Sequence, residues 1–130
     1  MILVDSDVLI AHLRGLPVAG RWLADARRAH GRLAVSVVSV AEITGGMRSA
    51  ERRAVWGLLG ALRVEDVNDV IARRAGELRR QYRRSHAGIG TPDSLIAATA
   101  DVRGLDLATL NVKHFPMFKG LRPPFRLPRP

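Results

Sequence analysis

The amino-acid sequence predicts an α/β fold, with helices packed on a mainly parallel sheet. Three observations predict it. The short apolar runs "MILVD", "RLAVSVV" and "DLATL" have the length and β-branched content of buried strands. Longer stretches with helical spacing separate them. No internal repeat or low-complexity linker interrupts that alternation over residues 1–130, so the chain reads as one domain.

Each element has its own signal. After the first strand, "SDVLIAHLRG" has helical character and is stopped by Gly15 and Pro17. "VAGRWLADARRAHG" reads as a second helix ending at Gly31. "RLAVSVV" is the second strand. Ser39 then opens a helix, with Glu42 three residues later at capping-box spacing. "AERRAVWGLLGAL" is helical, and "RVEDV" is a short strand or connection. The clearest helix runs from Asn68 to Ser85. Ile71, Ala75, Leu78 and Tyr82 form its apolar stripe, Arg73, Arg80 and Arg84 its opposite face, with Arg79 and Arg83 on a flank. That basic face is either simply solvated or a phosphate-contacting surface. In "GTPDSLIAATADVRGL", Thr91 suits an N-cap and Pro92 the first helical position. The helix is apolar on nearly every side and is predicted to be buried. "DLATL" is the last strand, and residues 122–130 are a proline-rich edge or tail.

Composition narrows the function classes. With 47% hydrophobic residues in 130, the chain is globular, and no apolar run approaches the about 20 residues of a membrane span. There is no cysteine, which excludes disulfides, thiolate catalysis and Cys-ligated zinc. The N-terminus has no basic n-region and carries two acids within its apolar part, unlike a secretory signal, so a cytoplasmic protein is expected. The formal net charge is +9. The cations are nearly all Arg, Lys occurring only at Lys113 and Lys119. Such a field draws polyanions, nucleic acid among them, and acidic proteins equally.

In open parallel sheets, ligands collect at the carboxyl ends of the strands. Asp5 ends the first strand, Glu42 lies just beyond the second, and Asp93 sits in the first turn of the apolar helix. Asn111 follows the last strand. If the sheet is parallel, these oxygen-bearing side chains face one cleft. Gathered carboxylates raise one another's pKa, and a divalent cation relieves the repulsion. An oxygen-only set without Cys favours Mg²⁺ or Mn²⁺. Each acid also has a plainer role. Asp5 can be a strand-end hydrogen-bond acceptor, and Glu42 the partner of Ser39. Asp7 is expected to be an N-cap or first-turn acid rather than a ligand. Ser6 and Thr109 are either supports for the acids or ordinary strand-end hydroxyls.

The segments "ILVDSDVLI", "VSVVSVAEITGGMR", "TPDSLIAATADVRGL" and "LATLNVKHFPMF" resemble, in order and spacing, the PIN-domain ribonucleases, specifically VapC toxins of bacterial VapBC toxin–antitoxin pairs. The resemblance spans almost the whole chain. It implies a three-layer α/β/α sandwich with a mainly parallel central sheet. It also implies an Mg²⁺- or Mn²⁺-dependent endoribonuclease that cuts tRNA or ribosomal RNA, forms a homodimer and is blocked by a VapB-type antitoxin. Asp5, Glu42 and Asp93 match the family's first three acids and, by that match, its metal ligands. The fourth position departs from the fullest pattern. Asn111 stands where many members have Asp, and His114 stands at a second common acid position. Asn111 is carried as a catalytic residue that brings no charge. His114 is expected to pack beside Phe115 or meet solvent rather than contact RNA or take part in proton transfer. Asp101 and Asp106 match no motif position.

Two other readings compete. The missing fourth acid suits an RNA-binding module without chemistry. The order Asp5-x-Asp7 after a strand also occurs in aspartyl phosphotransferases, but the chain is short for that fold.

Overall fold

The computed structural model describes residues 1–83 and 89–128. Its elements run β1 (Ile2–Val4), α1 (Ser6–Leu13), α2 (Pro17–His30), β2 (Ala34–Ser36), α3 (Val37–Gly46), α4 (Arg52–Gly60), β3 (Arg63–Glu65), α5 (Asp69–Tyr82), α6 (Thr91–Arg103) and β4 (Asp106–Ala108). Single 3-10 turns sit at Ser49–Glu51 and Val112–His114. The four strands form one sheet in the order β3-β2-β1-β4, and every pair is parallel.

Alternation along the strands sorts the core into two layers. Leu3, Ala34 and Leu107 point to one face, where Ile71, Ala75 and Leu78 of α5 and Ile96, Ala97 and Ala100 of α6 meet them. Val4 and Val35 point to the other, against Val8 and Leu9 of α1, Ile43 of α3 and Val55 of α4. The result is the expected three-layer α/β/α sandwich. The predicted stripe on α5 holds, with Ile71, Ala75 and Leu78 buried and Tyr82 packed at its end. The last predicted residues of that helix, Arg84 and Ser85, lie outside the described residues. The apolar helix α6 is buried from Ser94 through Ala100 except for partly covered Leu95.

Several boundaries differ from the sequence expectation for local hydrogen-bonding reasons. The second strand stops at Ser36, and Val37 and Val38 are already helical. The Ser36 hydroxyl accepts from the Val38 N–H at 3.1 Å and caps α3, which outweighs the strand preference of two valines. Ser39 is therefore buried inside the helix, and the expected Ser39–Glu42 capping box does not form. At α6, Gly90 takes the cap position and Thr91 the first helical one. The Ser94 hydroxyl donates to the Gly90 carbonyl at 2.9 Å. Pro17 not only follows the end of α1 but starts α2. In the tail, Phe125 packs on Trp22, with ring centroids 6.5 Å apart. Among the described residues, no helix is long and apolar enough to cross a membrane.

Phe115 follows the second 3-10 turn and anchors it, with 1% of its surface exposed, in the α5/α6 layer. Phe115→Ala should destabilise the fold by about 3–5 kcal/mol. Urea unfolding with an unchanged m-value checks this, and a loss below about 1 kcal/mol would contradict the packing described.

Candidate active site at the carboxyl end of the sheet

The chain begins in the middle of its sheet, with β2 on one side of β1 and β4 on the other. After β1 the chain enters α1, whose Val8 and Leu9 pack with Leu110 on one face, while Phe115, further along after β4, packs on the other; the carboxyl ends of such strands are where parallel sheets bind ligands. Asp5 occupies the first position after β1 and caps α1. Its Oδ1 accepts from the Ser6 N–H at 2.8 Å, its Oδ2 accepts from the Thr109 hydroxyl at 2.8 Å, and its own N–H donates to the Ala108 carbonyl at 2.9 Å. Asp5 is buried, and that burial pushes its carboxyl above the usual range. The hydrogen bonds from Thr109 and Ser6 act against this, and the nearby charge of Asp93 adds to it.

Ser6 joins Asp5 to Glu42. Its Oγ lies 3.4 Å from Asp5 Oδ1 and 3.2 Å from Glu42 Oε1. A hydroxyl carries one proton, so two carboxylates share a single donor. Glu42, on α3, is largely open to solvent as a residue. Its carboxyl is nevertheless raised, first by partial burial and then by Asp5 and Asp93, against the bond from Ser6.

Asp93, half-buried in the first turn of α6, meets the ring of His114, with Nδ1 and Oδ2 3.0 Å apart. The carboxylate can only accept, so Nδ1 carries the proton. His114 does face solvent, as expected, but it does not pack idly: it is a direct partner of a predicted site acid. Sequence reasoning missed this contact. Its one signal was His114 standing at a position where an acid is common.

Asp7 is also placed more specifically than a first-turn acid need be. Its Oδ2 accepts from the N–H groups of Leu110 and Asn111 at 3.0 and 3.1 Å and lies 3.2 Å from the Thr109 hydroxyl. It therefore ties α1 to the loop after β4. Its Oδ1 is buried with no hydrogen-bond partner. Burial, then the charge of Asp5, raise its carboxyl to about 6. Asn111 enters through its main chain, which bonds Asp7 and the Thr109 hydroxyl, while the residue itself is exposed at the rim.

The structure thus brings Asp5, Glu42 and Asp93 within electrostatic reach of one another and adds Asp7 and His114. Among the described residues, no three His, Asp or Glu side chains close on a common point as a finished metal cage. The donor set still fits a hard divalent cation. It is all oxygen, it holds two carboxylates on one shared proton, and it includes an orphaned buried oxygen on Asp7. Asp101 is engaged elsewhere, by Arg74 at 2.8 Å.

Comparison with known proteins places the chain in a family. The PIN domain family matches residues 2–116. The chain belongs to the PIN-domain family. It is 66% identical to "Ribonuclease VapC10" of Mycobacterium tuberculosis over 98% of this chain and 96% of that protein. It is 42% identical to "Ribonuclease VapC19" of the same organism over 96% and 100%. Among solved structures, a toxin–antitoxin complex from Klebsiella pneumoniae superposes with a TM-score of 0.80 at 26% identity, covering 98% of this chain and all of that one. The PIN-domain, VapC-like resemblance read from the four motifs is borne out.

The raised carboxyls have a consequence for stability. A folded-state pKa of about 6 for Asp7, against an ordinary 3.8, means the folded chain binds a proton more readily than the unfolded one between those values. Asp7 therefore favours the fold below about pH 4, and that contribution is lost as pH rises through about 6. Asp5 and Glu42 act in the same direction. In EDTA, urea stability should fall over this window, and Asp7→Asn, which keeps one carbonyl acceptor, should flatten the fall. An identical slope in parent and variant would contradict the assignment.

Proposed function

We propose that this protein is a divalent-metal-dependent endoribonuclease, the toxin of a type II toxin–antitoxin pair. The reading includes an RNA substrate of the tRNA or ribosomal RNA class, a VapB-type antitoxin as inhibitor, a homodimeric assembly and a cytoplasmic setting. The observation that carries it is the Asp5–Ser6–Glu42 bridge beside Asp93 at the sheet's crevice. Relatives bearing the name ribonuclease and a structural neighbour described as a toxin–antitoxin complex support it. They also weigh against an RNA-binding module without chemistry.

Asp5, Glu42 and Asp93 would hold Mg²⁺ or Mn²⁺. Such an ion, when bound, supplies charge stabilisation at phosphoryl oxygens and a water of lowered pKa. The chain's own groups do the positioning. Thr109 and the Ser6 amide orient Asp5, the Ser6 hydroxyl leans Glu42 toward it, and His114 fixes Asp93. Asn111 offers its side-chain amide at the rim, where it can meet RNA or hold a water.

Purified protein should cut RNA with Mg²⁺ or Mn²⁺ and stop in EDTA. Asp5→Asn and Asp93→Asn should each lower cleavage at least about 100-fold, at or beyond the 10–100-fold typical of losing a group that only orients a ligand. Both should also weaken Mn²⁺ binding measured by electron paramagnetic resonance. Asn111→Ala should cost less than either acid. Undiminished cleavage in both acid variants would overturn the site.

A further inference from the structure

A cleft of about 640 Å³ opens beside Glu42, between α1, α3 and the start of α4. Ile10, Ile43 and Val55 contribute an apolar floor, and Arg14 and Arg48 contribute cations to its lining. Those two arginines differ from three of their kind on the other layer. Arg73, Arg74 and Arg103 are each held by a carboxylate. Among the described residues, no carboxylate forms an ion pair with Arg14 or Arg48, and both are exposed.

We infer that this cleft is a nucleotide subsite for single-stranded RNA, next to the position where the strand is cut. The inference rests on the ribonuclease reading, because the cleft shares Glu42 with the acid site. A strand crossing those acids must place its neighbouring nucleotide somewhere, and this cleft adjoins them. A nucleotide's base has an apolar face that suits the floor, and the nucleotide's phosphate is an anion that suits two unpaired guanidiniums. The acids lining the same cleft, Glu42 and Glu51, make it poor ground for phosphate without those arginines. Glu51 is drawn partly aside, its Oε1 accepting from the Arg48 N–H at 2.8 Å. A duplex presents its bases stacked and paired, so the apolar floor selects an unpaired strand.

The test is fluorescence anisotropy with a labelled single-stranded RNA octamer carrying 4-thiouridine, in EDTA, across a salt series. Arg14→Ala with Arg48→Ala should weaken binding about tenfold and reduce the salt slope by about 0.7, for one phosphate contact on a single strand. Photo-crosslinks should map to the segment containing Met47 and Arg48 in the parent and disappear in the double variant. The control, Arg79→Ala with Arg80→Ala on α5, should lose less than threefold. An equal loss in both pairs would mean a charge effect without a site and would overturn the inference. So would unchanged RNA binding in the Arg14/Arg48 pair accompanied by lost binding of an antitoxin protein, which would give the cleft to a protein instead. If the parent cuts RNA in a manner sensitive to Asp93→Asn while the Arg14/Arg48 pair binds normally, the subsite alone fails. If the parent neither cuts nor binds RNA, the ribonuclease reading fails with it.

Discussion

A carboxylate buried at the carboxyl end of β1 governs the rest of the structure. Asp5 cannot be solvated by water there, so its oxygens are served by Ser6 on its own helix and by Thr109 across the β1–β4 junction. Hydrogen bonds to a charged group contribute about 1.5–3 kcal/mol each, while removing a carboxylate from water costs more than that unless it is paired. Burial wins here, since the Asp5 carboxyl is raised despite those bonds. A cleft whose acids resist ionisation has an unmet demand for positive charge. The fold meets part of it with a hydroxyl proton and leaves the rest open to a cation.

A second acid at a strand end shows what a purely structural solution looks like. Glu65 ends β3 and is as buried as Asp5. It is bonded by the Arg63 guanidinium and by Arg103 at 3.2 Å, so its charge is matched within the chain. None of Asp5, Asp7 and Glu42 forms an ion pair with Arg or Lys among the described residues, although the chain carries 21 such cations. The difference separates an acid whose charge is matched within the chain from acids whose charge is not. It also explains why counting strand-end acids overpredicts a site: the neighbours decide.

Much of this was legible from residues alone. Parallel order followed from alternating strand and helix signals, and the convergence of Asp5, Glu42 and Asp93 followed from where those acids stand after strands and in first turns. The finer points depended on side chains competing for backbone donors. Ser36, not Ser39, caps α3, because a hydroxyl one residue after Val35 reaches the Val38 N–H first. Gly90 rather than Thr91 caps α6, because an extended backbone at Gly90 suffices without a side-chain bond. The Asp93–His114 contact joins residues 21 apart through the turn before buried Phe115, a geometry that no local pattern encodes. Asp7 read as a helix-start acid, and so it is, but its reach to Leu110 and Asn111 depends on β1 and β4 being neighbours.

That last arrangement explains how the site tolerates Asn111 where an acid is common. The loop after β4 is fixed through main-chain N–H groups donated to Asp7 and through the Thr109 hydroxyl, not through the side chain at 111. Any residue with an N–H can satisfy that geometry, so the fold places no demand for a carboxylate there. Losing the charge lowers repulsion in a crevice where Asp5, Glu42 and Asp93 already crowd one another. His114 moves the balance the same way by offering Asp93 a donor. The two departures act together: with two common acid positions left without a carboxylate and a donor to Asp93 gained, the crevice keeps its three carboxylates at a smaller electrostatic cost.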